Sequence, residues 1–316
     1  MESVVHSRSA VIPGMANVAP SRDQYEIDNV PPSLHGRAPA VADLLDRLLP
    51  YEKLADTTWK KQLADAYSSG APYPHVVIDN FFDEAVLDRV IEEFPSSERF
   101  AQKFNNAREV KRATRSELEI PPFARTLIHS LNSGSFITFL EDVTAIAGLV
   151  ADPHLWGGGF HELPRGGKLA IHTDFNFHKK LNLDRRINVL VYLNRNWTEA
   201  YGGHFEAWRP NGAKAEARYL PIFNRLVIFG TTDFTFHGNP DPVACPEGMS
   251  RKSIAMYYYT NGRPKDEWSG VIQTTQFMNR PGEAIVERQP FVRRLVHAMP
   301  KPARIWISRN VLLKRN

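Results

Sequence analysis

The chain has very little cysteine. Its one thiol, Cys245, has no partner with which to close an internal disulfide. That removes any disulfide framework and any all-cysteine zinc site, and nothing points to an oxidising compartment. Long apolar runs are also missing. No stretch approaches the ~18 consecutive apolar residues of a membrane-spanning helix. Residues 1–18 lack a basic segment followed by an apolar one, so no secretory signal is expected and a cytoplasmic location is. There is no internal repeat and no low-complexity tract. Acidic residues are absent from 288–316, where eight Lys and Arg stand, while the whole chain carries only +4. The other 287 residues therefore sum to −4. The basic character belongs to a tail, and a mildly acidic body argues against a nucleic-acid partner.

What remains is ordinary for a folded protein. Over 316 residues, 42% are apolar and 23% charged, enough to build a sizeable core. Residues 1–37, rich in Ser, Pro and Asn, read as a loose lead-in. Helical periodicity begins at 38, with Val41, Leu44, Leu45 and Leu48 on one face and a second helix near 57–67. Residues 68–74 form a turn, and 75–82 a strand rich in β-branched residues. Asp83 is placed to cap a helix running to Phe94. The polar stretch 95–120 reads as a surface excursion, followed by one or two helices ending near 151. From 156 the texture changes. Short apolar runs at 156–162, 168–172, 186–193, 203–208, 217–220, 225–229, 234–237 and 251–259 alternate with Gly, Asn and Pro. That spacing predicts an all-β sandwich or barrel. The expected organisation is thus a lead-in (1–37), helical support with a first core strand (38–155), a β core (156–262) and a basic extension (263–316).

Within the β core, His172-Thr173-Asp174 places an imidazole and a carboxylate on one strand face. His237 follows 63 residues after Asp174. Two histidines and one carboxylate on one face of a metal leave coordination positions open, which suits a non-haem Fe(II) oxygenase. Arg251-Lys252-Ser253 adds a planar fork of donors and a hydroxyl, matched to the distal carboxylate of a dicarboxylic co-substrate. Lys252 alternates to the opposite face.

These residues resemble the Fe(II)- and 2-oxoglutarate-dependent dioxygenases. Around them, the segment from Pro72 to Phe81 resembles the opening strand of the prolyl-4-hydroxylase-like branch. Asn188 to Asn194, then Trp197 and Gly202-Gly203-His204-Phe205, resemble its YLN…W…GG segment. The likeness spans about 72–260. It implies a mainly β fold with flanking helices, built on a double-stranded β-helix (jelly roll). It implies that 2-oxoglutarate is decarboxylated to succinate while a substrate C–H is oxidised with O₂, with ascorbate a candidate reductant. By position, His172, Asp174 and His237 would ligate iron, and Arg251 would pair with the co-substrate, supported by Ser253. Tyr192 and Asn188 are further candidate co-substrate contacts. Asp174 favours hydroxylation, because halogenating relatives lack that carboxylate. Lys168-Leu169-Ala170-Ile171 replace aromatics common before the His-x-Asp segment, which argues against a prolyl-peptide substrate. The expected substrate is a small metabolite, a natural-product intermediate or a protein side chain. The alternatives are a non-catalytic jelly-roll binding module and another metal-dependent jelly-roll enzyme.

The remaining features have plainer readings. His161, His178 and His204 read as pocket-lining or structural. Gly157-Gly158-Gly159 lacks the Lys-Ser/Thr and opening helix of a phosphate loop and reads as a tight turn. Residues 95–150 and 175–186 are expected to shape a substrate entrance, and Lys179, Lys180, Arg185 and Arg186 hint at an anionic substrate. The tail interleaves its cations with Phe291, Leu295, Ile305, Trp306 and Leu312. A peripheral membrane contact is one reading of that pattern; a helix packed on the body is favoured.

Overall fold

The computed structural model describes residues 40–283 and 299–307. Helices come first: α1 (Val41–Leu45), α2 (Tyr51–Ala55) and α3 (Thr57–Ser69), the last capped by Asp56, whose side chain accepts from Trp59 N. Strand β1 (His75–Asp79) precedes α4 (Glu84–Glu92), and Asp83 caps α4 as expected, accepting from Ala85 N. A hairpin of β2 (Gln102–Asn105) and β3 (Glu109–Ala113) leads to α5 (Pro122–Leu131) and α6 (Gly134–Thr144).

The β region follows as β4 (Val150–Ala151), β5 (Gly159–Pro164), β6 (Lys168–Thr173), β7 (Phe177–His178) and β8 (Leu183–Tyr192). Next come β9 (Phe205–Trp208), β10 (Ala217–Tyr219), β11 (Arg225–Gly230), β12 (Phe236–Asn239), β13 (Ser250–Thr260) and β14 (Gln276–Phe277). Each of the eight runs expected between 156 and 259 contains a strand.

Every pairing is antiparallel. One layer runs β1-β11-β8-β13-β5 and the other β10-β9-β12-β6. Consecutive strands β5 and β6 sit in different layers, as do β8 and β9, and β11, β12 and β13 alternate between them. That interleaving is the double-stranded β-helix. Strand β3 joins the layers, pairing with β6 through Glu109 and Val110 and with β5 through Arg112 and Ala113.

Alternation along the strands decides what faces the interior. On β8, Ile187, Val189 and Val191 pack against Leu127, Leu131, Phe136 and Phe139 of α5 and α6 in the main core. Each such side chain contributes about 1.5–3 kcal/mol relative to exposure. The alternate residues Asn188, Leu190 and Tyr192 therefore face the space between the layers. The same rule turns Ile254 and Met256 of β13 to the helices and leaves Arg251, Ser253 and Tyr257 inside.

Three expectations change. The 95–120 stretch lies largely at the surface as expected, but it is also a hairpin paired into the sheet. Its strands are charged, which hid them, but the charges are paired, with Arg112 Nη1 2.8 Å from Glu162 Oε2. Most of 95–150 does not shape an entrance, because α5 and α6 bury their apolar faces beneath the sheet. The helical region also ends at Ala145, in the left-handed conformation (φ 56°), rather than near 151. The lead-in 1–37 lies outside the described residues, as does the tail except for a helix at Lys301–Ile307. No helix among the described residues is long and apolar enough to cross a membrane.

Candidate metal and co-substrate site

His172 and His237 are register partners on β6 and β12, which sets their rings side by side with centroids 4.5 Å apart. Asp174 lies just past the end of β6. Its Oδ1 is 3.6 Å from His172 Nε2 and its Oδ2 3.4 Å from His237 Nε2. One ligand atom from each of the three residues falls within 4.8 Å of the others. The far ring nitrogens face carbonyls: His172 Nδ1 is 2.9 Å from Ala170 O, and His237 Nδ1 3.4 Å from Thr235 O. A carbonyl only accepts, so each Nδ1 carries a hydrogen, and in the neutral ring the Nε2 lone pair is turned to the centre.

The carboxylate is held from the other side. Asp174 Oδ2 accepts from Asn188 Nδ2 (2.7 Å) and from Arg185 Nη2 (3.0 Å), while Asn188 Oδ1 accepts from Arg185 Nε (2.9 Å). The Arg185 guanidinium carbon stands 3.5 Å from the Tyr257 ring centroid and 4.4 Å from that of Phe175. Burial alone would raise the Asp174 pKa. The Arg185 charge, then His237 and His172, outweigh that and hold it well below the usual carboxylate range. His237 is lowered to about 3, first by burial and then by His172, so its imidazole stays neutral. Neutral nitrogens and an ionised carboxylate form a hard donor set with room for exogenous ligands, and this set fits Fe(II).

The far end of the cavity is built by Arg251, Tyr192 and Ser253. Arg251 is buried, donating Nε–H to Gly203 O (2.7 Å) and Nη2–H to the Tyr192 hydroxyl (3.2 Å). Gly203 lets it lie there: with φ +70°, a Cβ would come within 3.0 Å of Arg251 Cδ. Two of five guanidinium donors are thus engaged, leaving the rest for a carboxylate. Because the Tyr192 oxygen accepts from Arg251, its own proton is free to donate. Burial raises the Tyr192 pKa against the pull of Arg251, keeping that proton in place. Ser253 pairs with Tyr192 in register and lines the cavity. From Asn188, beside Asp174, to Tyr192 is four residues of strand, about 13 Å. That span suits an extended five-carbon dicarboxylate bound at both ends.

All seven residues singled out from the sequence line or adjoin one cavity, but Asn188 has both amide atoms engaged by Asp174 and Arg185. From the sequence, Arg185 is expected at the entrance as a cation hinting at an anionic substrate. It is 1% exposed and belongs to the carboxylate clamp. Arg186 is paired with Glu267 (3.1 Å) and Thr260 (3.2 Å), so neither cation is free to recruit a substrate. His161 lines the cavity with Nε2–H donated to Gly157 O (2.9 Å), whereas His178 abuts Asp152 (3.4 Å) and His204 meets Glu199 (2.8 Å). Cys245 is buried, its thiol donating to Met249 O.

The support of the site also extends past the expected core boundary at 262. Asp233 Oδ1 accepts from Asn176 Nδ2 (2.8 Å) and Oδ2 from Ser269 N (2.8 Å), while Asn176 Oδ1 accepts from Gln273 N (3.0 Å). Strand β14 then pairs with β6 at Thr173 and His172. Residues 263–277 are therefore tied to the loops that carry Asp174 and His237.

A family model matches part of the chain. The model described as the 2OG-Fe(II) oxygenase superfamily matches residues 158–259. No curated protein matches the chain. Among solved structures, the chain is similar to a Pseudomonas putida prolyl-4-hydroxylase (16% identity, 63% of this chain and 100% of that one, TM-score 0.45). It is similar to a Trichoplax adhaerens prolyl hydroxylase solved with a hypoxia-inducible-factor peptide fragment (17% identity, 66% and 95%, TM-score 0.45). A third is HygX from Streptomyces hygroscopicus, solved with nickel, 2-oxoglutarate and hygromycin B (13% identity, 66% and 92%, TM-score 0.40).

Proposed function

We infer that the chain is an Fe(II)- and 2-oxoglutarate-dependent dioxygenase that oxidises an unactivated C–H bond, converting the co-substrate to succinate. One observation carries the reading. In the segment that matches the oxygenase model, His172, Asp174 and His237 converge at one end of a cavity whose other end holds the buried guanidinium of Arg251. The substrate class we propose is a small metabolite, a natural-product intermediate or a protein side chain, with hydroxylation as the outcome.

Bound iron supplies the activation of O₂ that this chemistry requires. The chain's own residues do the rest. His172, Asp174 and His237 hold the metal. Asn188 and Arg185 fix the Asp174 carboxylate from behind, so its lone pairs are aimed before a metal arrives. Arg251, Tyr192 and Ser253 take the distal carboxylate of 2-oxoglutarate and set how deeply it enters. Phe205 and Phe229 pack beside His237 and keep water from that flank.

The test is an anaerobic titration with Fe(II) and 2-oxoglutarate, followed by a succinate-release screen over amino acids, sugars and peptides. A weak visible charge-transfer band should appear with both ligands and vanish in His172→Ala. Failure of the wild type to bind 2-oxoglutarate would overturn the reading. Tight binding without turnover across the screen would leave a binding module instead.

A further inference from the structure

Among the described residues, one side-chain nitrogen that lines the cavity is buried without a hydrogen-bond partner. Asn239 is 5% exposed, lines the cavity and has no hydrogen-bond partner for its Nδ2. Buried amides are rarely left this way. Its surroundings offer no remedy. Its register partner on β6 is Leu169, which lines the same cavity. Lys111, a cation on the same wall, is already drawn to Glu109 at 3.3 Å and lies over the Phe104 ring at 5.0 Å.

Strand direction tells which end of the cavity Asn239 serves. Two residues beyond His237 on β12, it shares that residue's inward face. Because β12 is antiparallel to β6, the step from His237 to Asn239 runs back along β6 from His172 to Leu169. A β-bulge on β6 absorbs the odd spacing, so His172 and Leu169 both face inward. The step therefore leads away from the triad, toward the short turn joining β6 to β5. Leu163, the register partner of Arg251, lies at that turn. Asn239 thus stands at the Arg251 end, on the opposite layer. Gly238 keeps the two strands close there, since a Cβ would meet Leu169 O at 2.8 Å.

We propose that Asn239 is a co-substrate-binding residue, donating its amide N–H to the distal carboxylate of 2-oxoglutarate across the cavity from Arg251. Arg251 supplies the charge, and Asn239 supplies a neutral donor from the other layer. The carboxylate is then gripped on two sides, and a ligand ending in a methyl group leaves the amide orphaned. This rests on the dioxygenase reading above and adds selection of the co-substrate by its far end.

The experiment measures binding rather than turnover. Mn(II)-loaded protein is titrated by calorimetry with 2-oxoglutarate and, separately, with 2-oxobutanoate, which lacks the distal carboxylate. Asn239→Leu keeps the branch at Cγ but removes both polar atoms, and Asn239→Asp puts a like charge against the ligand. We expect 2-oxoglutarate to bind roughly 10-fold more weakly to Asn239→Leu and at least 100-fold more weakly to Asn239→Asp. The 2-oxobutanoate and Mn(II) affinities should stay within about threefold. Equal weakening of both oxoacids would mean a merely structural role and would overturn the proposal, as would 2-oxoglutarate binding by Asn239→Asp at the wild-type level. If the wild type bound no 2-oxoglutarate, the dioxygenase reading itself would fall.

Discussion

Replacing Asn188 by Ala separates two roles for one side chain. The sequence alone makes it a co-substrate contact, whereas its geometry makes it a clamp on Asp174. The substitution removes the 2.7 Å bond to Asp174 Oδ2 and the acceptor at 2.9 Å from Arg185 Nε, at a position 2% exposed. Both lost bonds involve charged groups, so the metal-free fold should lose about 2–4 kcal/mol. Partners that orient a ligating group typically contribute 10- to 100-fold in metal affinity, which is about 1.4–2.7 kcal/mol. The assay has two stages: the affinity for Mn(II) or anaerobic Fe(II), then the affinity for 2-oxoglutarate at saturating metal. The first should weaken by 10- to 100-fold, and the second should stay within about threefold. The opposite split, with metal affinity intact and co-substrate binding more than tenfold weaker, would refute the clamp.

Two further outcomes follow from the same geometry. Arg251→Gln should cost about 100-fold or more in 2-oxoglutarate affinity while leaving metal binding intact, because a buried charge partner is lost; co-substrate affinity within threefold of wild type would refute the assignment. His161 is lowered to about 3, first by burial and then by the Lys111 charge, so the folded state favours its neutral form. An unfolded histidine titrates near 6.5, so this contribution is complete above that pH and is lost as pH falls toward 3. Between pH 6.5 and 5, urea unfolding of the metal-free wild type should lose about 2 kcal/mol more than His161→Gln, and parallel profiles would contradict this.

Much of the fold was legible because the jelly roll repeats a simple rule. Each core strand hides one face, so apolar runs punctuated by Gly, Asn and Pro marked all eight. The triad was legible for a related reason. His172 and Asp174 are two residues apart, and His237 sits on the strand that pairs with β6, so local alternation suffices to aim all three. The β2–β3 hairpin escaped notice because it pairs charges rather than burying apolar side chains. Its role in joining the layers depends on β5 and β6, roughly fifty residues away, which no local pattern encodes.

Arg185 shows the limit of alternation more sharply. Simple period-two counting from Asn188 puts Arg185 on the helix-facing side of β8, where a guanidinium would have no partner. In the structure, Ile187 pairs with Tyr258 and Arg185 with Tyr259, so Arg186 is the extra residue of a β-bulge. The bulge turns Arg185 to the inner face beside Tyr257, and Asp174 receives its second donor. Arg186 is left pointing outward to Glu267. One inserted residue therefore creates the clamp. Burying an arginine there requires three compensations, namely the Asp174 charge, the Asn188 carbonyl and two aromatic faces, and the fold supplies all of them at the metal end of the cavity. A charge buried at such cost beside the candidate ligand carboxylate fixes the orientation of that carboxylate more than it adds stability.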